Sequence, residues 1–219
     1  MYLAKVRKGK KRRRVSGRRS RKNVPRSVLY GMTFLAFLAF LTLIFFAYHS
    51  QEAANPTSAD TSQSSQDTTT ISFIQTIGES ARQIAAQNDL YASVMIAQAI
   101  LESNSGQSKL SQAPNYNFFG IKGDYKGQSV TMQTWEDDGN GNSYTIDAQF
   151  RSYGSLEESL QDYAQFLQKD LCVGVHKSRT ASYQDATAAL TGTYATDTSY
   201  GSKLNQLISE YDLTIYDSW

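Results

Sequence analysis

Residues 93–103 read SVMIAQAILES, and this stretch decides the fold. As a helix it is apolar on nearly every side, the pattern of a helix buried in the middle of a domain. Amphipathic helices flank it in the chain. In FIQTIGESARQIAAQN (73–88), Phe73, Ile77, Ala81 and Ile84 fall on one stripe. Leu156, Leu160, Tyr163 and Leu167 form a second stripe, with Ser155 as N-cap and Glu158 three residues on, a capping box. Two more helical stretches run over about 183–190 and 200–211. Between the second and third helices the period drops to two. Val130, Met132 and Thr134 alternate with Thr131, Gln133 and Trp135, and Tyr144, Ile146, Ala148 and Phe150 alternate again after the turn-forming run DDGNGN. That is a β-hairpin. The predicted class is α+β and mostly helical, one domain over residues 71–219 with a sheet too small to be its core.

Upstream, the chain changes character twice. From Val28 to Tyr48 it reads VLYGMTFLAFLAFLTLIFFAY, 21 residues without a charge. That length of helix crosses a hydrocarbon core of roughly 30 Å. A cleaved signal peptide has an apolar core of about 7–15 residues and a short basic head. Here the run is longer and its head is 27 residues, so one uncleaved transmembrane helix is expected at 28–48. Thirteen of the 22 Lys+Arg precede the span and none falls between His49 and Thr70, which places the 1–27 tail in the cytoplasm and the domain outside the cell membrane. Residues 49–70, with ten Ser/Thr and no large aliphatic side chain, read as a flexible linker. As a random coil it would span roughly 25 Å, and about 75 Å when fully stretched.

The formal charge of +2 conceals a strong asymmetry. Beyond Arg26 the chain carries nine basic and 20 acidic residues, net −11, which excludes a uniformly basic nucleic-acid binder. The basic run beside the span reads as a topology determinant that touches anionic lipid. A single cysteine, Cys172, excludes a disulfide framework. With only His49 and His176 besides, a His/Cys zinc site is not expected, nor is a Ser-His-Asp triad. The neighbourhood DLCVGV makes Cys172 a small core residue rather than a nucleophile paired with His176.

Two carboxylates stand out. Glu102 closes the apolar helix in its last turn, where the negative end of the dipole and burial beside Ile100 or Leu101 would both raise its pKa. A general acid needs that shift; a solvated helix-end Glu is the plainer alternative. Glu136 shares a strand face with Val130, Met132 and Thr134, where that face meets the turn, and could line a cleft. It could equally be one more turn carboxylate beside Asp137 and Asp138. Asp138, Asn140, Gly141 and Asp147 also lie at calcium-loop offsets from Glu136, but strands flank them and a hairpin turn explains the residues.

Five strings then occur in one order: AQAILESNSGQSKL (97–110), NYNFFGIKG (115–123), TWE (134–136), FRSY (150–153) followed by ESLQDYAQFL, and TYATDTSYGSKL (193–204). Together they resemble the peptidoglycan glucosaminidases of glycoside hydrolase family 73, over essentially all of residues 71–219. The resemblance implies a lysozyme-like fold with a small hairpin lobe and needs no cofactor or metal. It implies Glu102 as catalytic acid and Glu136 as the second acidic position, with Asn117, Phe119, Tyr194 and Tyr200 at the glycan groove. Phe118 stands for the family's usual Leu, and Thr198 for its usual Pro, which loosens that turn.

The function this implies is a membrane-anchored hydrolase of β-1,4 bonds in peptidoglycan glycan strands near the membrane, as an endo-β-N-acetylglucosaminidase, alongside cell-wall synthesis or division proteins. An N-acetylmuramidase of the same fold, and a non-catalytic glycan-binding or scaffold module, are the alternatives. Inverting, retaining and substrate-assisted chemistry all remain open, because sequence gives no distance between the carboxyls.

Overall fold

The computed structural model of the chain describes residues 56–137 and 143–218. The α-helices are α1 (Pro56–Gln87), α2 (Ala92–Ser103), α3 (Leu156–Leu167), α4 (Tyr183–Leu190) and α5 (Tyr200–Glu210); the strands are β1 (Ser129–Asp137) and β2 (Ser143–Arg151). Short 3₁₀ segments follow α3, at Asp170–Val175 and Lys177–Arg179, and α5, at Leu213–Asp217. Every residue of α2 except Leu101 is buried, so the apolar helix is the axis of the domain. Around it pack the predicted stripes, Ile77, Ala81 and Ile84 of α1 and Leu160, Tyr163 and Leu167 of α3, together with Leu204 and Ile208 of α5.

Helix ends follow their local chemistry. At α3 the Ser155 hydroxyl accepts from the Glu158 N–H at 3.2 Å, while the Glu158 carboxylate reaches back one residue further than a capping box, to the Gly154 N–H at 2.9 Å. A full capping box occurs at α4, between Ser182 and Asp185. The N-terminus of α2 is capped from a distance. Asp217, near the end of the chain, accepts from the Ser93 N–H at 2.9 Å and from its hydroxyl at 2.6 Å.

The start of the domain differs from expectation. Helix α1 runs back to Pro56, so residues 56–70, expected as part of a flexible linker, are helical. Pro56 stands at the first helical position, where its missing N–H costs nothing. Packing holds the Ser/Thr-rich turns further on. Thr70 is buried with its hydroxyl 2.7 Å from that of Ser105, and the Tyr211 hydroxyl donates to Asp67 at 3.3 Å. The expected tail (1–27), span (28–48) and residues 49–55 lie outside the described residues. Among the described residues no helix is long and apolar enough to cross a membrane.

β1 and β2 form an antiparallel two-stranded sheet in the register Val130↔Phe150, Met132↔Ala148, Thr134↔Ile146 and Glu136↔Tyr144. On the face carrying these residues Phe150 and Thr134 are buried, while Ile146 and Tyr144 of β2 are exposed. Asn117 fastens the hairpin to the helices. Its amide donates to the Ile121 carbonyl at 3.0 Å and the Arg151 carbonyl at 2.9 Å, and its oxygen accepts from the Ile121 N–H at 3.1 Å. Nearby, the Arg151 guanidinium and the Tyr153 hydroxyl both bond Asp162 of α3, at 2.6 and 2.7 Å.

Candidate active site

Glu102 lies in the last turn of α2, which ends abruptly. Asn104, Ser105 and Gly106 all take positive φ, and the Ser105 N–H closes back on the Ile100 carbonyl at 2.9 Å. Gly106 is required twice over: its φ is +76°, and a Cβ there would lie 2.8 Å from the Phe73 ring. This sharp stop fixes the end of the helix against α1 and leaves the Glu102 side chain inside the domain, 5% exposed.

Its environment keeps it protonated. Burial pushes the Glu102 carboxyl up to about 8, against a hydrogen bond from Tyr200 and the positive field of Lys203, which both act to lower it. Oε1 accepts from the Tyr200 hydroxyl at 2.8 Å, while Oε2 is buried with no hydrogen-bond partner among the described residues. A neutral carboxyl with one oxygen held and the other free to carry its proton is equipped to donate that proton. Lys203 also pairs with Asp197, at 2.7 Å.

Below the carboxyl lies a floor of rings. Phe119 stacks on Tyr163 with centroids 3.9 Å apart, and Tyr194 stacks on Tyr200 at 6.0 Å. Tyr194 donates to the Phe119 carbonyl at 3.1 Å. Asn117, Phe119, Tyr194 and Tyr200 are each buried to within 1%, and the bonds of Asn117, Tyr194 and Tyr200 run to protein atoms. Large aromatics contribute most when packed, and Phe119, Tyr194 and Tyr200 pack here beneath the carboxyl, while Asn117 holds the hairpin base.

Glu136 lies in β1 opposite Tyr144, on the face of Thr134 and Ile146 by register. Asp138, Asn140 and Gly141 of the calcium-like pattern lie outside the described residues, and among the described residues no three His, Cys, Asp or Glu side chains gather to hold a metal ion. Cys172 is buried and burial raises its thiol, the opposite of an activated nucleophile. His176 turns Nδ1 towards the Val173 carbonyl at 3.1 Å.

Gln98 escaped the sequence reading. It is wholly buried, its amide nitrogen donates to the Tyr200 hydroxyl at 2.9 Å, and its oxygen accepts from the Tyr163 hydroxyl. One signal was available: Gln98 stands one helical turn before Glu102, on the same face of an otherwise apolar helix.

The family profile described as mannosyl-glycoprotein endo-beta-N-acetylglucosaminidase matches residues 78–213, from mid-α1 to the C-terminal 3₁₀ segment. The chain belongs to this glucosaminidase family. The glucosaminidase domain is 54% identical over 153 residues to an autolysin of Enterococcus faecalis, covering 67% of this chain and 21% of the relative. It is 52% identical over 151 residues to a probable N-acetylmuramidase of Lactococcus lactis, covering 66% of this chain and 34% of the relative. These relatives are therefore much longer proteins, of which the chain spans about a fifth and a third. The solved catalytic domain of an autolysin from Listeria monocytogenes has the same fold, with a TM-score of 0.66 and 49% identity, covering 68% of this chain and 88% of that one.

Proposed function

We propose that the chain is a membrane-anchored peptidoglycan hydrolase that cuts β-1,4 bonds of glycan strands as an endo-β-N-acetylglucosaminidase, with Glu102 as general acid. One observation carries the reading: in a glucosaminidase-family domain, the carboxyl at the end of α2 is buried and neutral, with Oε2 uncommitted. Glu102 Oε2 gives its proton to the departing glycosidic oxygen as an oxocarbenium-like sugar forms. Glu136, opposite Tyr144 in the hairpin, activates water or steadies the cation. Oε1, held by Tyr200, keeps the carboxyl oriented through the cycle. Asn117, Phe119 and Tyr194 act from below, by fixing the hairpin and the ring floor.

A muramidase is the second reading, favoured by the 52% identity to the Lactococcus protein of that name. Digesting purified peptidoglycan with the full chain and identifying the new reducing-end sugar decides between them. N-acetylglucosamine supports the proposal, N-acetylmuramic acid supports the second reading, and no new reducing end removes both in favour of a glycan-binding module. The near-membrane setting rests on the 21-residue apolar run at 28–48 and the charge asymmetry around it. Cell-wall synthesis or division proteins are its expected neighbours there.

A further inference from the structure

Four buried side chains form one directed chain of hydrogen bonds. The Tyr163 hydroxyl donates to the Gln98 carbonyl oxygen, the Gln98 amide to the Tyr200 hydroxyl at 2.9 Å, and the Tyr200 hydroxyl to Glu102 Oε1 at 2.8 Å. Its members come from three helices: Gln98 and Glu102 from α2, Tyr163 from α3 and Tyr200 from α5. All four are 5% exposed or less. Direction matters because each hydroxyl has one proton to give, and a carboxamide has a donor end and an acceptor end. Tyr200 receives from Gln98, so its own proton is free for Glu102. Were the amide reversed, Tyr200 would donate to Gln98 and would accept from Glu102, which would then carry its proton on Oε1, committed to Tyr200.

We infer that Gln98 is a positioning residue of the acid: by passing the bond direction from Tyr163 to Tyr200, it holds Oε1 as an acceptor and confines the acid proton of Glu102 to Oε2. This rests on the reading of Glu102 as general acid. Gln98 fits no simpler role, since a Leu or Met would fill the same apolar helix with no polar group to satisfy. The groups facing Glu102 are Tyr200 and Lys203 of α5, with Tyr194 and Tyr163 behind Tyr200. Of these, Tyr200 and Lys203 favour the ionised carboxyl, and burial opposes it.

The test compares full-chain Gln98→Met, Tyr163→Phe and the double variant by kcat, KM and pH profile on solubilised glycan strands. Gln98→Met should lower kcat about tenfold, the scale of one buried hydrogen bond, with KM unchanged within about a factor of two. The basic limb of its profile should move to higher pH, because a Tyr200 without its donor stabilises the carboxylate less. Loosened packing would do the reverse, letting water in and moving the limb down. Tyr163→Phe keeps the stacked ring and should show the same upward move with a smaller loss. The double variant should be no worse than Gln98→Met. Unchanged kcat in either single variant, a limb that moves down, or losses that multiply would overturn the inference. Glu102→Gln runs alongside: if it retains activity the acid assignment itself has failed, whereas an inactive Glu102→Gln beside a normal Gln98→Met removes only the relay. Should Gln98→Met not fold, Tyr163→Phe decides alone.

Discussion

Glu102 places a functional need against a stability cost. Its folded pKa, about 8, lies above the ordinary value of 4.5, so the folded state binds the proton more tightly than the unfolded chain. The stability linked to this group is complete below about pH 4.5 and is lost as pH rises through about 8. Glu102→Gln, which cannot ionise, should therefore raise the melting temperature more at pH 8 than at pH 5. Melting curves of the two proteins at both pH values check this, and equal shifts would mean that Glu102 is not the buried neutral acid described. The carboxyl was legible because it ends an apolar helix, a place where both burial and the helix dipole oppose its charge. Gln98 was not, because its partners Tyr163 and Tyr200 are 65 and 102 residues away and no period in the sequence connects them. For the same reason, the packing of Tyr194, Tyr200 and Phe119 around the site was not legible, although resemblance located all three, with Asn117, near it.

Among the elements, the helices and the hairpin could be read because each carries its own period and caps. The start of α1 could not, since ten Ser/Thr in residues 49–70 describe a linker until Thr70 finds Ser105 and Asp67 finds Tyr211. Composition is local, and those contacts are not. The C-terminal 3₁₀ segment was equally unreadable, although it holds α1 and α2 together. Tyr216 packs over Gly78, where a Cβ would come within 2.5 Å of the ring, and Asp217 caps α2. Asp217→Ala should cost about 1 kcal/mol, the usual loss for a helix cap, measured by urea unfolding. Because α2 also carries Gln98 and Glu102, kcat should fall with it at temperatures near the melting point and match the parent well below it. An unchanged unfolding midpoint would show that the cap contributes nothing.

At the scale of the molecule, the apolar run at 28–48 is separated from Pro56 by residues 49–55, at most about 25 Å of chain even when fully extended. Helix α1 then leads into the domain, its stretch 56–70 forming about 22 Å of rod in place of the expected coil. The catalytic end of α2 would thus work at a bounded height above the membrane. Protease added to wall-stripped cells should remove the folded domain and leave the anchor, as read by antibodies to each end; a soluble domain shed without protease would overturn the anchored topology. Beneath the topology lies the chemistry of one carboxyl. The most direct measurement is the release of new reducing ends from purified peptidoglycan by the full chain and by its Glu102→Gln variant, both shown to be folded. At least about a hundredfold less product from the variant is predicted, the scale of a lost general acid. Near-equal release would contradict the account.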